Sequence, residues 1–282
     1  MQVLQEIDDV RLAVAAARRA GQIVGFVPTM GALHAGHLSL VAAAREHCGL
    51  VVVSIFVNPT QFAPGEDLER YPRTLDADLE VCRTAGVDAV FAPPTASMYR
   101  SDARTVVSVR ELTDVLCGPF RPGHFDGVAT VVAKLFNIVQ PDAAFFGEKD
   151  FQQLAVIRQM VRDLDLPIEI VGCPTVREAD GLAMSSRNAY LTTAERKQAT
   201  SHSTAMRSAI DAARAGCRDA GVLIEQIRRT ILAAGPATID YIAIVAPNTL
   251  RDVATLDRPA RICLAVRVGS TRLIDNMPLD PS

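Results

Sequence analysis

Two histidines three residues apart are the first feature of this sequence that suggests chemistry. His34 and His37 lie in the segment 28–37, PTMGALHAGH, between an apolar run and a helix-like stretch. Residues three apart share one side of a helical turn, and a helix start offers unpaired N–H groups and partial positive charge. Gly36 lets a base or phosphate approach the backbone closely. The pattern predicts a polyphosphate site in which both imidazoles donate hydrogen bonds. An isolated histidine here would instead suggest a cap or a surface residue.

Two later segments carry cations beside small polar groups. In 147–153, GEKDFQQ, Lys149 would place a point charge on a phosphate and Asp150 would bind a ribose hydroxyl. In 180–188, DGLAMSSRN, two serines precede Arg187, whose guanidinium offers a bidentate fork to phosphate. Taken singly, the first segment also fits a helix cap with a solvated lysine. The second also fits a polar linker between domains.

Neutral amides mark a different kind of site. The segment 56–62, FVNPTQF, contains Asn58 and Gln61, whose amides can donate to and accept from hydroxyl and carboxylate groups. This predicts contacts to a small hydroxy acid. The segment 121–127, RPGHFDG, is also polar, but its turn-forming residues alone would explain it.

The composition of the chain restricts the classes of protein to which it can belong. The chain has 282 residues, 49% of them hydrophobic, and a net charge of −3, which gives no broad basic field for nucleic acid. No apolar run approaches the roughly 20 residues of a membrane helix, and the charged N-terminal segment does not resemble a signal peptide. The six cysteines form no CxxC pair. Together these features predict a cytoplasmic protein that binds neither membrane nor nucleic acid.

The elements that position these residues follow from the apolar pattern. Short apolar runs, predicted as buried strands, occur at 23–27, 50–57, 87–92, 143–146 and 168–171. Helical stretches lie between them at 10–20, 36–46, 75–84, 128–139 and 151–164. This alternation is typical of βαβ units, so we predict an α/β fold with a Rossmann-like parallel sheet. Ligands of such sheets bind beyond the carboxyl ends of the strands, which is where the chemically suggestive segments lie.

The pattern changes after about residue 175. Helical stretches at 193–215 and 220–234 precede apolar runs at 239–245, 262–268 and 272–275. Helices followed by strands indicate a smaller α+β domain. We therefore predict two domains, 1–175 and 176–282.

The motifs together resemble those of a known family. The HxGH pattern of residues 34–37 is neither a Walker loop nor a GxGxxG loop. It resembles that of the nucleotidyl-transferring α/β superfamily, which includes class I aminoacyl-tRNA synthetases, cytidylyltransferases and pantothenate synthetases. Six segments, in order and spacing, resemble the pantothenate synthetases: PTMGALHAGH, FVNPTQF, YPRT, RPGHFDGV, FGEKDFQQ and DGLAMSSRN. The last is placed like the KMSKS loop of the synthetases.

The resemblance implies an activity and a set of site residues. Pantothenate synthetases condense pantoate with β-alanine through a pantoyl adenylate, converting ATP to AMP and pyrophosphate. Carried onto this sequence, the catalytic residues are His34, His37, Lys149 and Arg187. The other implied ATP contacts are Met30, Gly31, Ala32, Leu33, Ala35, Gly36, Gly147, Glu148, Asp150, Val176, Met184, Ser185 and Ser186. Gln61, Gln153 and Asn58 would bind pantoate or β-alanine, with Met30 and Phe62 as an apolar wall.

The resemblance also implies Mg²⁺ on the ATP phosphates, with no protein ligand assigned, and a homodimer. Because an adenylate must be kept from water, we expect closure by the Met-Ser-Ser-Arg loop, residues 184–187, by residues 64–73, or by residues 176–282 acting as a lid.

Three alternatives stay open from the sequence. A related adenylyl- or cytidylyltransferase would share HxGH and act on a phosphate. A fragment of an aminoacyl-tRNA synthetase would need a basic surface, which this composition does not provide. A non-catalytic ATP-sensing module would keep the nucleotide contacts without turnover.

Overall fold

The computed structural model describes residues 1–280, which belong to two compact units. Unit 1 comprises Met1–Val109, Arg121–Glu148 and Val156–Pro174. Unit 2 comprises Arg110–Phe120, Lys149–Ala155 and the described part of Thr175–Ser282. The division of function between residues 1–175 and 176–282 stays a prediction, since the compact units divide the chain at additional points.

Unit 1 is built on one six-stranded parallel sheet. Its strands are β1 (Gln2–Leu4), β2 (Val24–Thr29), β3 (Leu50–Ile55), β4 (Ala89–Phe91), β5 (Ala143–Gly147) and β6 (Glu169–Cys173). They lie in the order β1-β4-β3-β2-β5-β6. The order reverses between β2 and β5, and ligands of doubly wound sheets bind at this kind of switch point. The segments that follow β2 and β5 are 30–37 and 148–150, which include the HxGH residues.

The helices of the α/β part connect these strands. They are α1 (Ile7–Arg19), α2 (Ala35–His47), α3 (Leu75–Thr84), α4 (Thr95–Met98), α5 (His124–Val139) and α6 (Phe151–Asp163). Apolar side chains of α2 and α3 pack on the central strands, with Val27, Val53 and Phe145 fully buried. The predicted α/β class and Rossmann-like order are confirmed. The short elements β1 and α4 were not predicted.

Unit 2 contains a three-stranded antiparallel sheet with helices. The helices are α7 (Thr193–Ala199), α8 (Ser201–Arg214) and α9 (Ala220–Ala233), and the strands are β7 (Ala237–Val245), β8 (Ala260–Val268) and β9 (Thr271–Leu279). The sheet order is β7-β8-β9. Met206, Leu223 and Ile227 are completely buried in the core of this unit. The predicted α+β character is confirmed.

Two boundaries differ from the sequence-based prediction for physical reasons. The stretch 193–215 is two helices, and at their junction the Thr200 hydroxyl donates to the Lys197 carbonyl, a local bond that competes with regular helix bonding. The last strand extends four residues beyond Asp275, through Pro278. Proline is tolerated there because β9 is an edge strand and Pro278 is exposed. Within residues 1–280, no helix has the length and apolar character required to cross a membrane.

Candidate active site

The loop after β2 is held by a buried carboxylate. Asp78 of α3 accepts hydrogen bonds from the backbone N–H groups of Ala32 (2.9 Å) and Leu33 (2.8 Å). The Thr74 hydroxyl donates to the same carboxylate at 3.1 Å. Gly31 has a φ of +82°, and a Cβ at this position would lie 2.9 Å from the Asp78 carboxylate. Only glycine therefore suits the turn, and Asp78 fixes the path of the chain that leads to the two histidines.

The two histidines cap α2 reciprocally. His34 Nδ1 accepts from the Gly36 N–H at 3.1 Å, and His37 Nδ1 accepts from the His34 N–H at 3.3 Å. The ring centroids are 4.1 Å apart. Because each Nδ1 accepts, the neutral rings carry their hydrogen on Nε2. Each imidazole thus has an Nε2–H donor, which is the group that the phosphate prediction requires.

Most backbone N–H groups of this loop bond within the protein. Besides the bonds to Asp78, His34 and His37, the Gly31 N–H donates to Thr29 Oγ1 at 3.2 Å. The loop therefore differs from a phosphate cradle made of free backbone amides. Recognition of an anion here depends on the imidazole donors and on the partial positive charge of the α2 N-terminus.

Asn58 and Gln61 form a buried amide pair after β3. Asn58 Nδ2 donates to Gln61 Oε1 and to the Gly127 carbonyl, both at 3.1 Å. Its Oδ1 accepts from the Tyr99 hydroxyl at 2.8 Å and from the Thr60 hydroxyl at 2.9 Å. Both hydrogens and the oxygen of the Asn58 amide are thus engaged within the protein, and the amide of Gln61 is held in one orientation.

Gln61 also meets the thioether of Met30. Its Nε2 donates to Met30 Sδ at 3.2 Å. A thioether is a weak acceptor, so a substrate oxygen is a better partner for this amide hydrogen. Both residues were predicted from the family resemblance to contact substrate, and in the structure their side chains contact each other.

The segment 121–127, RPGHFDG, supports the backbone of Gln61. Arg121 pairs with Glu66 through two bonds of 2.7 Å, and its Nη1 donates to His124 Nε2 at 2.9 Å. His124 therefore carries its hydrogen on Nδ1, which donates to the Gln61 carbonyl at 2.8 Å. A Cβ on Gly127 would lie 2.4 Å from the Thr60 carbonyl, so α5 approaches the Gln61 turn closely. The sequence alone left this segment as a turn.

The Glu66–Arg121 pair is partly buried, with 23% and 14% of the two side chains exposed. Burial raises the pKa of Glu66, but the hydrogen bonds and charge of Arg121 outweigh this and hold the pKa below its ordinary value. The pair therefore stays ionised at neutral pH. It also ties the segment 64–73, where movement was expected, to the segment 121–123 that precedes α5.

In unit 2, Lys149 is held through its backbone by β9. Asn276 Nδ2 donates to the Lys149 carbonyl at 2.9 Å, and Arg261 Nε donates to Asn276 Oδ1 at 2.7 Å. Burial lowers the pKa of Lys149 below its ordinary value, against the opposing charges of Asp150 and Asp275. A partly desolvated ammonium interacts strongly with an anion, which fits the predicted phosphate contact.

The segment 175–188 is anchored in several places. Arg177 makes two bonds to the Asp275 carboxylate, at 2.7 and 2.8 Å. Ser185 Oγ accepts from the Arg187 N–H at 3.3 Å and caps the 3₁₀ helix Ser186–Tyr190. Asn188 Nδ2 donates to Glu178 Oε1 at 2.7 Å and to the Ala183 carbonyl at 3.0 Å. The two serines and Arg187 thus lie on a structured turn.

Two adjacent glutamines of α6 have different environments. Gln152 is buried; its Oε1 accepts from the Cys117 N–H at 2.9 Å, and its Nε2 donates to the Leu112 and Val115 carbonyls at 2.8 and 2.7 Å. Its amide is thus used to fix the segment 110–120. Gln153, the predicted substrate ligand, is half-buried.

Across residues 1–280, no group of three or more His, Cys, Asp or Glu side chains could hold a metal ion.

Comparison with known proteins identifies the family. The model of the family described as pantoate-beta-alanine ligase matches residues 2–278. The chain belongs to the pantoate-beta-alanine ligase family. A pantothenate synthetase of Moorella thermoacetica is 55% identical over 280 residues, 99% of each chain. A pantothenate synthetase of Desulfatibacillum aliphaticivorans is 55% identical over 266 residues, covering 94% of this chain and 95% of that protein.

Solved structures agree with this assignment. Pantothenate synthetase of Thermus thermophilus has a TM-score of 0.95 at 46% identity, with 100% of both chains covered. Pantoate-beta-alanine ligase of Francisella tularensis, solved in complex with Beta-gamma ATP and Beta-alanine, has a TM-score of 0.82 at 34% identity, again over 100% of both chains. As a pantoate-beta-alanine ligase, the chain makes pantothenate from pantoate, β-alanine and ATP.

The residues expected from the sequence of this pantoate-beta-alanine ligase divide between the two units. Unit 1 holds residues 30–37, Asn58, Gln61, Gly147 and Glu148, and unit 2 holds Lys149, Asp150, Gln153, Val176 and 184–187. The supporting residues were missed: Asp78 behind the HxGH loop, and Asp275 and Asn276 behind Arg177 and Lys149. A carboxylate on the buried face of α3 was the one available signal, since Asp78 and Cys82 share that face.

Proposed function

We propose that the ligase reaction runs in two steps through a pantoyl adenylate. A pantoate carboxylate oxygen attacks the α-phosphorus of ATP, and the bond to the leaving pyrophosphate breaks. The β-alanine amine then attacks the acyl carbon, AMP leaves with the electrons of the C–O bond, and the nitrogen loses a proton. Activation is needed because a carboxylate is a poor electrophile, while AMP is a good leaving group.

The orientation of the two imidazoles is the observation that carries this proposal. We assign the Nε2–H groups of His34 and His37 to the phosphate oxygens on which charge accumulates during the first step. Their Nδ1 atoms are held by backbone N–H groups of the loop, so the donors are positioned before substrate binds. Loss of one well-placed donor typically costs about 3–4 kcal/mol, or 10²–10³ in rate.

In unit 2 we propose that the side chains of Lys149 and Arg187 also bind phosphate oxygens of ATP. Ser185 and Ser186 are proposed as neutral hydrogen-bond donors to phosphate. The ATP contacts proposed from the family resemblance also include Met30, Gly31, Ala32, Leu33, Ala35, Gly36, Gly147, Glu148, Asp150, Val176 and Met184. The complex of the Francisella tularensis relative with Beta-gamma ATP supports a nucleotide site in this family. These assignments are tested by the effect of each substitution on kcat and on ATP binding.

For pantoate we propose Gln61 and Gln153 as ligands, with Met30 and Phe62 against the apolar methyl groups. Asn58 was predicted as a third ligand. Its complete set of internal hydrogen bonds favours a supporting role, in which it orients the Gln61 amide. A binding site for β-alanine is proposed beside that of pantoate, and the complex of the relative with Beta-alanine supports such a site in this family.

Three further assignments belong to the proposal. Mg²⁺ is proposed to enter with ATP, where it would neutralise phosphate charge, and no protein ligand is assigned to it. A homodimer is proposed from family resemblance. A cytoplasmic location is proposed because all six cysteines are free thiols, which fits a reducing compartment.

The experiment that tests the overall function is AMP release from ATP, Mg²⁺, pantoate and β-alanine, with each component omitted in turn. The proposal expects AMP only when all four are present, and enzyme-bound adenylate without free AMP when β-alanine alone is missing. Rapid AMP release without pantoate would contradict it. An adenylyl- or cytidylyltransferase would show no dependence on pantoate.

A further inference from the structure

A small cavity lies inside unit 2, near the segment that carries Ser185 and Arg187. Its volume is about 10 Å³, close to the room that one water molecule requires. It is lined by five polar or charged residues, Lys149, Ser185, Asn188, His202 and Asp275, and by four apolar residues. More than half of these residues are polar or charged, whereas cavities that stay dry are apolar.

Two buried polar atoms belong to residues that line this cavity. Within residues 1–280, neither His202 Nε2 nor Asn188 Oδ1 has a hydrogen-bond partner. His202 is 1% exposed. Burial lowers the pKa of His202 to about 4, although the charge of Asp275 opposes this, so the ring is neutral at pH 7. A buried polar atom without a partner costs free energy, and two such atoms at one cavity indicate a shared partner.

The orientation of Asn188 is fixed independently. Its Nδ2 donates to two acceptors, Glu178 Oε1 and the Ala183 carbonyl. If the amide oxygen and nitrogen were exchanged, the oxygen would lie against these two acceptors and could not bond to either. Oδ1 is therefore the atom left for the cavity. This oxygen accepts only, whereas the neutral His202 Nε2 either donates or accepts according to the tautomer. Water satisfies both atoms in either case.

We propose that one ordered water occupies this cavity, donates a hydrogen bond to Asn188 Oδ1 and forms a second hydrogen bond with His202 Nε2. Lys149 and Asp275, which also line the cavity, offer further partners, and buried waters typically make about three bonds. The water joins helix α8 to the turn 185–188. His202 and Asn188 are then positioning residues for Ser185, Ser186 and Arg187, and this second part rests on the proposed function.

A crystal structure of the full chain at about 1.8 Å or better tests the water directly. We expect a density peak about 2.7–3.2 Å from both His202 Nε2 and Asn188 Oδ1, with a B-factor near that of the surrounding side chains. A cavity without density, or a direct bond between His202 and Asn188, would overturn the proposal. Because density is read without turnover, this result does not depend on the proposed function.

Two variants of His202 test the positioning role. His202→Leu removes the ring nitrogen, and we expect it to lose the water and lower kcat by about tenfold, with a smaller change in KM for ATP. His202→Gln places an amide near the position of Nε2, and we expect it to keep the water and recover most of kcat. Equal kcat in His202→Leu and the unmodified protein would refute the positioning role. So would an equal loss of kcat in both variants.

Discussion

Asp78→Asn is the substitution that most directly tests how the HxGH loop is held. The carboxylate accepts from Ala32 N, Leu33 N and the Thr74 hydroxyl. Asparagine keeps the shape of the side chain and one of its two oxygens. The other oxygen becomes an NH₂ donor, which then faces the N–H donor of Ala32. Leaving a buried donor unsatisfied costs about 1–3 kcal/mol, and a bond to a charged group contributes about 1.5–3 kcal/mol. We expect a loss of about 2–3 kcal/mol in the free energy of unfolding.

The effect on catalysis follows from what the loop carries. Ala32 and Leu33 precede His34, so a displaced loop moves both imidazoles, and an error of about 1 Å can cost about 10²-fold in rate. We expect kcat to fall at least tenfold, measured by AMP release, and the urea midpoint to fall. Asp76→Asn is the matched control, since Asp76 is exposed in the first turn of the same helix; it should leave kcat unchanged and lower the midpoint much less, through the helix dipole alone. Unchanged kcat and midpoint in Asp78→Asn would refute this account of the loop.

Three more predictions concern two residues that support Gln61, and Lys149 itself. The pKa of Glu66 is lowered in the folded protein, so its stabilising contribution is present above the unfolded pKa of about 4.3 and is lost as pH falls through the folded value. Glu66→Gln should therefore be less stable than the unmodified protein at pH 7. Its urea midpoint should also change less with pH between pH 6 and 3. Asn58→Ala should raise KM for pantoate about tenfold, and KM for ATP much less, since the Gln61 amide loses its support. Lys149→Ala should lower kcat by about 10²–10³.

Each of these has a control or a contradicting outcome. If the midpoints of Glu66→Gln and the unmodified protein fell in parallel with pH, the lowered pKa would not contribute to stability. Equal increases in both KM values for Asn58→Ala would indicate a general loss of structure. The exposed Lys197→Ala should keep full kcat, which separates loss of a specific contact from loss of one positive charge.

Local patterns predicted the α/β part well because its strands are buried on both faces. β3, for example, reads Leu-Val-Val-Val-Ser-Ile, an apolar and mostly β-branched run with one small polar residue, which is typical of a strand buried on both faces. β1 escaped prediction because it is three residues long and largely exposed. The last apolar run was predicted to end at residue 275, and only the edge position of β9 in the folded sheet explains why the strand continues past Pro278.

Candidate site residues could be proposed from the sequence where neighbours form one local motif, as His34 and His37 do. Their supports were not, because each depends on a partner distant in the chain. Asp78 bonds residues 45 and 46 positions earlier, and Asn276 bonds Lys149 across 127 positions. His124 likewise acts through Gln61, 63 positions away. Such pairs exist only once the sheet topology brings the elements together.

Pantoate-dependent exchange of labelled pyrophosphate into ATP, without β-alanine, tests most directly whether the imidazole donors act during adenylation. His37→Asn is the informative variant, because its amide oxygen can replace Nδ1 as acceptor for the His34 N–H while Nε2–H is lost. We predict exchange only when pantoate and Mg²⁺ are present, and a fall of about 10²–10³ in His37→Asn with a similar Kd for ATP. Exchange that does not require pantoate, or that proceeds at an unchanged rate in His37→Asn, would contradict the account.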